Sequence, residues 1–509
     1  MGLQQDSRGY SGFRRPGVRL NEELLPALAE HRTEKLGDTL EAIHTFDKAH
    51  LVMLVERGLI PRADGVAMLR ELRAMEAEGI LAVRMRVQGG SHSAEQYLIR
   101  VLGEAVGGRI HLGRSSGDLS EVGRRYTIRQ HLLRHMGNLN RFRRVLVEIA
   151  PQHLSTVMPG FTHGQDAQPT TFGHWLSMWA CVFERDFARA GALYQRVNQS
   201  PAGAGILCGS DFDLDRERTS QLLGFDGPLR NTMDAILSHD AVLLETASVL
   251  MIHASSMARL AEDFELWFSS EFSFIDMPDR YCDTSSIMAQ KRNPLFSEEV
   301  KATAAAVYGG LTTAIAVESG PTGLAMNEHR ATQSALWSNF AEIDQRLNEA
   351  IGLLPEITVN KARMLAVAND TWTQAADLAG GIVRLRGLPW RTAHQIVAIL
   401  VRLSYERDIK PREVTPTLLD EAAMLYWDRP LRLSESELRD LLLAERSVER
   451  RTLLGGPAPE AASRELAILT DRLNGDEGTH AEAVQHVESA ARELERSISL
   501  LLEDTADAE

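Results

Sequence analysis

The 509-residue sequence predicts an all-α fold organised around a central bundle of long helices. Three observations predict it: long stretches without proline, apolar residues at helical spacing, and few strand signals. Proline disrupts helix interiors and is tolerated at helix starts and in loops, so proline-free stretches can hold long helices. Four such stretches run from Pro61 to Pro151, Pro169 to Pro201, Pro228 to Pro278 and Pro294 to Pro321.

The residues inside these stretches have the pattern of buried helices. Apolar side chains in Ser120–Leu154 recur mostly at three- and four-residue steps, and Phe172–Val197 continues in the same way. His239–Phe268 and Glu298–Val317 are rich in apolar or small residues. Helices of about 20 to 35 residues are well above the usual mean of about 12. Their apolar residues occupy more than one stripe, which indicates burial on several sides in a bundle shared between subunits.

Both ends of the chain predict shorter helices, because glycine and proline interrupt them more often. We therefore expect an N-terminal helical domain over residues 1–112, a central long-helix domain over 113–360 and a C-terminal helical domain over 361–509. No internal repeat is visible.

The bulk composition narrows the class of partner. The formal net charge of -15 argues against nucleic acid and anionic membranes as main partners. No unbroken run of about 18 apolar residues exists, so no membrane-spanning helix is expected. The N-terminus lacks the apolar core of a signal peptide. The three cysteines fit neither a disulfide framework nor a zinc site, which favours a reducing, cytoplasmic location.

Four polar, glycine-containing segments flank the predicted long helices. Each has a plain structural alternative: a helix cap, a loop histidine, a connector or a solvated loop. Together they offer what proton removal next to a carboxylate requires, namely anion donors, a base and an acid for the leaving group. The segments are Gly113–Asp118, Met158–Pro169, Ser200–Gly205 and Tyr281–Asn293.

Within these segments, residue type suggests a role for each candidate. Ser115, Thr162, Lys291 and Asn293 are all of types that bind anions. Lys291 could stabilise the doubly charged aci-carboxylate formed when the proton leaves. His163 is the natural acid or relay, since histidine titrates near neutral pH. A serine in the last segment is a weak base unless a closing loop tunes its surroundings.

These residues resemble the fumarase/aspartase superfamily. Ser285-Ser286-Ile287-Met288-Ala289-Gln290-Lys291-Arg292-Asn293-Pro294 resembles its signature, usually Gly-Ser-Ser-x-Met-Pro-x-Lys-x-Asn-Pro. The stretch from Pro159 to His174 resembles the argininosuccinate lyase branch, as do Gly113-Arg114-Ser115 and Ser200–Gly205. Ser447–Arg451 and Gly455–Glu460 also fit that branch. The resemblance covers about residues 20 to 470.

The resemblance implies an all-helical, three-domain subunit. It also implies a homotetramer around a twenty-helix core, in which three subunits build each active site. The implied reaction is β-elimination from a succinyl group that releases fumarate, with a small dicarboxylate substrate and without a metal or an organic cofactor.

The resemblance also implies a role for each matching residue. Ser285 matches the catalytic base, although Ser286 is not excluded as the proton acceptor, and His163 matches an acid or relay that pairs with Glu298. Lys291 and Asn293 match carboxylate binders, and Ser115 and Thr162 match contacts to the fumarate half. The remaining predicted substrate contacts are Arg114, Ser116, Gln165, Ser286, Met326 and Arg330.

The chain departs from the branch on the leaving-group side. Ser116 and Gly117 replace an Arg-Asn pair, and the run Met326–Ser334 lacks the Tyr, Gln and final Lys that bind substrate in the branch. A buried carboxylate left without its cation costs about 2 to 5 kcal/mol, so argininosuccinate should bind poorly. We therefore expect a different N-substituted aspartate or another β-substituted succinate. The alternatives are ordinary argininosuccinate lyase and a non-catalytic structural relative, and the sequence leaves the direction of reaction open.

Overall fold

The computed structural model describes residues 36, 37, 39–323 and 328–503, except the side chain of Ala241. Met326, one of the predicted substrate contacts, lies outside the described residues. Helices dominate the described chain, and only short paired strands accompany them. The predicted all-α class is therefore confirmed.

Short helices form the N-terminal part of the described chain. They pack around α1, which is buried along most of its length. The helices are α1 (Thr39–Glu56), α2 (Arg62–Glu78), α3 (Ile80–Val87), α4 (Ser93–Leu102) and α5 (Glu104–Gly107).

Five long helices form the middle; four lie in the proline-free stretches that predict them, and α12 follows the last of these stretches and is not predicted by them. They are α6 (Ser116–Ile149), α7 (Phe172–Val197), α10 (Thr246–Phe268), α11 (Leu295–Glu318) and α12 (His329–Leu353). The short helices α8 (Arg216–Leu223) and α9 (Thr232–Leu237) lie between α7 and α10. A π-helical turn over Asp240–Glu245 leads into α10.

The C-terminal part returns to shorter helices as predicted, but it ends in the longest helix of the described chain, 45 residues, where the sequence predicts a shorter one. These are α13 (Lys361–Asp370), α14 (Ala375–Arg386), α15 (Trp390–Glu406), α16 (Pro416–Trp427), α17 (Glu435–Leu442), α18 (Ala444–Glu449) and α19 (Pro459–Glu503). The last helix returns to the central bundle, where Arg143 of α6 pairs with Asp476 at 2.7 Å.

The described strands form three two-stranded antiparallel pairs. They are β1 (Val157–Thr162) with β2 (Gln165–Thr171), β3 (Ile275–Asp276) with β6 (Thr358–Val359), and β4 (Asp283–Thr284) with β5 (Arg292–Asn293). Two of these pairs carry predicted site residues, so the few strands of this helical protein matter for its chemistry.

Three large hydrophobic clusters lie along the described chain. One joins the N-terminal helices to the last turns of α19, a second fills the central bundle, and a third lies within α14–α17. In the central cluster Phe142 and Phe183 meet edge to face, with ring centroids 4.9 Å apart. The predicted domain boundaries at residues 112/113 and 360/361 stay predictions, because the hydrophobic clusters show where the cores lie but not where one domain ends and the next begins.

Helix α11 is apolar yet poorly covered. An 18-residue window of α11 has a mean hydropathy of 1.3, so the helix is long and apolar enough to cross a membrane by length and composition alone. One such helix is weak evidence and does not overturn the expectation that no helix spans a membrane. Threonine, tyrosine and glycine residues break the helix into short apolar runs, but they lower its mean hydropathy only a little. A core helix of a soluble protein can have the same composition, but only 28% of this stretch is buried. Tyr308 and Ile315 are 63% and 51% exposed. The single chain therefore leaves an apolar helix face without cover.

Candidate active site

Ser115 caps the N-terminus of α6. Its hydroxyl oxygen accepts a hydrogen bond from the backbone N–H of Gly117 at 3.3 Å, and Asp118 accepts one from the N–H of Ser115 at 2.8 Å. This reciprocal capping box satisfies amides that would otherwise lack partners at the helix start. The capping role is thus established, and it leaves Ser115 at a helix terminus that favours anions.

The neighbouring Arg114 is buried in an ion-pair cluster. Its guanidinium donates to Asp47 of α1 at 2.8 Å and lies 5.3 Å from the centroid of the Phe46 ring. Arg84 pairs with the other carboxylate oxygen of Asp47 at 2.5 Å. Burial alone would raise the pKa of Asp47, but the two guanidinium groups hold it below its usual value. This cluster fixes the start of α6 against the N-terminal helices, and substrate contact by Arg114 stays a prediction.

A cavity of about 240 Å³ opens beside the start of α6. Ser116 and Arg330, both predicted substrate contacts, line it. Its wall also contains charged and titratable side chains, namely His92, Glu121, Arg124, His239 and His329. We call this space the α6 cavity.

Glu121 connects several of the groups in the α6 cavity. It pairs with Arg124 on its own helix and lies 3.1 Å from Nε2 of His239. Burial would raise the pKa of Glu121, but Arg124 and His239 lower it to about 2. Glu121 is therefore a carboxylate at neutral pH, and the cavity wall carries a fixed negative charge beside a guanidinium.

His163 lies at the tip of the β1–β2 hairpin. Thr162 pairs with Gln165 across the strands, and His163 and Gly164 form the two-residue turn with φ of 57° and 70°. Two positive φ values are typical of a type I′ turn, which suits the twist of a hairpin but is uncommon for a residue other than glycine. Thr162, His163 and Gln165 are all exposed in the single chain. The hairpin thus holds three predicted site residues out into solvent.

The signature loop joins β4 to β5 and is also exposed. Ile287 at its tip is 87% exposed. The Ser285 hydroxyl oxygen accepts hydrogen bonds from the backbone N–H groups of Ile287 at 3.3 Å and Met288 at 3.0 Å. Ser286 is exposed. The loop therefore has a defined local fold in which Ser285, and not Ser286, is the residue held by backbone amides.

The base of this loop is anchored by Arg292. Its guanidinium pairs with Asp276 at 2.7 Å and with Asp279 at 3.0 Å. The residues on either side, Lys291 and Asn293, line an open cavity of about 1110 Å³ together with Glu298 from the first turn of α11. Three predicted site residues are thus brought together here, in what we call the loop cavity.

The α6 cavity and the loop cavity lie at opposite ends of the bundle. Glu318, the last residue of α11, pairs with His329 in the wall of the α6 cavity, whereas Lys291 and Asn293 directly precede the first turn of α11. A helix rises about 1.5 Å per residue, so the 24 residues of α11 separate the two places by roughly 35 Å. One chain therefore cannot bring Ser285 and Ser116 to the same small substrate.

The hairpin is also distant from the start of α6. Helix α6 has 34 residues and so spans about 50 Å, and β1 follows shortly after its C-terminus. Even if β1 ran straight back along α6, its six residues would cover only about 20 Å of that length, so the His163 turn stays far from Ser115. No hydrogen bond joins His163 to Glu298 within the described residues, so their predicted pairing does not form inside one chain.

Glu121, Arg124 and Glu318 belong to none of the sequence motifs that indicate the site. A usable signal existed for two of them, because Glu121 and Arg124 follow Gly117 by four and seven residues and so lie on the same helix face as Gly117. Glu318 had no such signal. It reaches the cavity only because α11 ends where α12 begins.

Comparison with known proteins identifies the family. A lyase family model matches residues 54–309, and a model of the argininosuccinate lyase C-terminal region matches residues 372–449. Argininosuccinate lyase of Methanococcoides burtonii is 36% identical over 466 residues, which covers 89% of this chain and 92% of that protein. The enzyme of the same name from Methanothrix thermoacetophila is 37% identical, with the same coverage.

The chain belongs to the fumarase/aspartase superfamily, in its argininosuccinate lyase branch. It is a carbon–nitrogen lyase of that superfamily.

Among solved structures, EDDS lyase with formate has a TM-score of 0.84 at 27% identity, and the match covers 99% of this chain and 97% of that one. A variant of EDDS lyase with bound fumarate matches at the same TM-score and 28% identity, over 93% of this chain and 96% of that one. The 3-carboxy-cis,cis-muconate lactonizing enzyme from Pseudomonas putida shares the superfamily fold at a TM-score of 0.68 and 21% identity, over 88% of this chain and 98% of that one.

The buried carboxyl group of Asp118, which takes part in the capping box of α6, makes the stability of the fold depend on pH. Burial raises the pKa of Asp118 from 3.8 to about 6, although backbone N–H groups and Arg114 oppose the shift. A carboxyl whose pKa is higher in the folded state stabilises the fold while protonated, and that contribution is lost as pH rises from about 4 to about 6. We expect Asp118→Asn to gain stability relative to wild type across that interval, by roughly 3 kcal/mol. Urea unfolding of both proteins between pH 4 and pH 7 measures the difference. A difference independent of pH contradicts the prediction.

Proposed function

We propose that this enzyme eliminates an amine from an N-substituted aspartate, or a related β-substituted succinate, and releases fumarate with Ser285 as the base. The observation that carries the proposal is the Ser285 hydroxyl, held by two backbone amides on a loop that also bears Lys291 and Asn293. The same site catalyses the reverse addition of an amine to fumarate, since elimination and addition share one transition state.

The surroundings of Ser285 suit a hydroxyl that must lose its proton. Hydrogen bonds donated to an oxygen stabilise its ionised form more than its neutral form and so favour deprotonation. The N–H groups of Ile287 and Met288 supply two such bonds in the loop itself. Loop closure that excludes water would strengthen both interactions, and a charge on Lys291 would add to them.

The remaining predicted residues have complementary tasks. Lys291 and Asn293 bind the carboxylate whose negative charge increases when the β-proton leaves. Ser115 and Thr162 bind the fumarate half, and His163, oriented by Glu298, carries the proton for the leaving amine. The further substrate contacts are Arg114, Ser116, Gln165, Ser286, Met326 and Arg330.

We propose that copies of the chain assemble as a homotetramer to complete this site. Two observations support assembly: the predicted site residues are spread over distances of roughly 30 Å or more, and α11 exposes an apolar face. The exposed hairpin tip and the exposed signature loop would each reach a neighbouring copy. A cytoplasmic location fits the three cysteines, none of which forms a disulfide.

The leaving group is proposed to differ from that of argininosuccinate lyase. The α6 cavity holds His239, His329 and a Glu121 carboxylate beside Ser116, which stands where the branch pattern has an arginine. EDDS lyase, one of the solved structures that match over nearly the whole chain, is a lyase of a different name with a similar fold, which supports a different leaving group. Argininosuccinate remains the competing substrate, because curated relatives with up to 37% identity have that name. A non-catalytic role is disfavoured by the retained set of Ser285, Lys291, Asn293, His163 and Glu298.

The role of Ser285 can be tested against its neighbour. We expect Ser285→Ala to lower kcat by a factor of about 1000 or more, since it removes the base. Ser286→Ala should mainly raise KM, because its role is substrate contact. Fumarate release followed by ultraviolet absorbance measures both variants, and circular dichroism confirms that each folds. Near-normal turnover by Ser285→Ala would overturn the mechanism.

A substrate panel tests the leaving group. We expect slow fumarate release from argininosuccinate, at least about 100-fold below that from the best N-substituted aspartate. The reason is that the cationic partners of the carboxylate in the arginine moiety are missing. The panel uses wild-type enzyme and measures kcat/KM for each compound. If argininosuccinate proves the best substrate, the protein is an ordinary argininosuccinate lyase.

Mixing two inactive variants tests assembly of the site from several copies. Co-expression of His163→Ala with Ser285→Ala should restore up to about a quarter of wild-type activity, because some sites then draw both intact residues from different copies. Ser285→Ala mixed with Lys291→Ala is the matched control, since both residues lie on one loop and no site becomes intact. Equal recovery in the two mixtures, or none in the first, would contradict a shared site.

A further inference from the structure

Two histidines and a glutamate converge in the wall of the α6 cavity. His329, the first residue of α12, has its Nδ1 2.9 Å from a carboxylate oxygen of Glu318, the last residue of α11. His239, which directly precedes the π-helical turn, has its Nδ1 3.9 Å from the other oxygen of the same carboxylate. The two imidazole rings lie 3.9 Å apart between centroids. The end of α11, the start of α12 and the residue before the π-helical turn therefore bring one carboxylate and two imidazoles close together.

The cluster is buried and incompletely satisfied. His239 and His329 are only 5% and 2% exposed. Nε2 of His329 is buried without a hydrogen-bond partner in the described part of the chain. Buried polar atoms are rarely left unpaired, because each such atom loses its hydration without replacement. Nδ1 of the same ring faces Glu318, so a metal ion at that carboxylate would be bound through Nδ1, and Nε2 would take a separate partner from the cavity.

His239 also contacts a second carboxylate through its other ring nitrogen, as metal-binding histidines usually do. Nε2 of His239 lies 3.1 Å from Glu121, and Arg124 holds that carboxylate in place. Histidines that bind metals usually donate their second ring N–H to a carboxylate, which orients the ring and raises its basicity. The Nδ1 atom of His239 is then left with a lone pair directed toward Glu318.

We propose that His239, His329 and Glu318 bind a divalent transition metal, with Zn²⁺ the ion best matched to two imidazoles and one carboxylate. One ligand atom from each residue lies within 4.8 Å of the others. Two ligands of one zinc ion stand about 3.4 Å apart at the tetrahedral angle, so small side-chain rotations bring the three atoms into range. The site departs from the expectation, drawn from the family resemblance, that no metal is used.

The metal would also bear on the leaving group, a consequence that rests on the proposed function. Ser116 and Arg330 line the cavity into which the cluster faces. A three-ligand site keeps a coordination position open on that side. It would favour N-substituted aspartates whose substituent carries a further amine or carboxylate donor.

Metal titration of the purified full-length enzyme, without a histidine tag and after chelator treatment, tests the site in the absence of substrate. We expect Zn²⁺ to bind once per chain with a Kd of about 1 µM or lower, and Co²⁺ to give absorption bands of low coordination number. His239→Ala and His329→Ala should each weaken binding by a factor of about 100 or more. Glu121→Gln should weaken it by about 10-fold, as for a carboxylate that supports a ligand.

The chain contains a matched control in a second triplet, His92, Glu95 and His111. His111→Ala should leave Zn²⁺ affinity unchanged. Absence of saturable binding, binding that persists in both His239→Ala and His329→Ala, or binding lost in His111→Ala alone would overturn the proposal. If an alanine variant fails to fold, X-ray absorption of the zinc-loaded wild type decides by ligand count, where two imidazoles are expected and fewer contradict it. None of these outcomes depends on fumarate release, so the metal site and the proposed reaction fail separately.

Discussion

Helix length is the constraint on which the arrangement of this protein depends. Helix α6 spans about 50 Å and α11 roughly 35 Å, so each has one end near the α6 cavity and the other near the hairpin or the signature loop. Rigid elements of this length keep apart the residues that a four-carbon dicarboxylate must contact together. The proposed chemistry would be completed when copies pack so that opposite ends meet, and the exposed apolar face of α11 offers a surface for that packing.

The two ends of the bundle have diverged to different degrees. The signature loop keeps its serine, lysine and asparagine, and its fold is fixed by the ion pairs of Arg292 at the base. The α6 cavity instead contains a network of His239, His329, Glu121 and Glu318, in which ion pairs link the histidines to the carboxylates but leave Nε2 of His329 without a described partner. Under the proposed function, such a division would let one end keep the proton chemistry while the other changes the compound that is cleaved.

Much of the architecture could be predicted from the sequence, because proline positions and apolar spacing report directly on long helices. The β1–β2 hairpin escaped that reasoning. His163-Gly164 is a weak turn signal, and β1 and β2 lack the alternation of a half-buried strand. The cluster around Glu318 escaped for another reason: residues 239, 318 and 329 meet only through the packing of three helix ends. Local patterns do not contain that information, whereas the linear motif of the signature loop does.

Ser115 shows how one hydroxyl can couple folding to ligand recognition. Its oxygen accepts the amide of Gly117, so the hydroxyl hydrogen is left to point away from the helix toward an acceptor. In the proposed site that acceptor is a carboxylate of the substrate. Loss of the hydroxyl would therefore weaken the start of a 34-residue helix and remove an anion donor in the same step. Selection for a well-ordered bundle and selection for dicarboxylate binding consequently act on the same atom, which makes this position hard to vary even if the substrate changes.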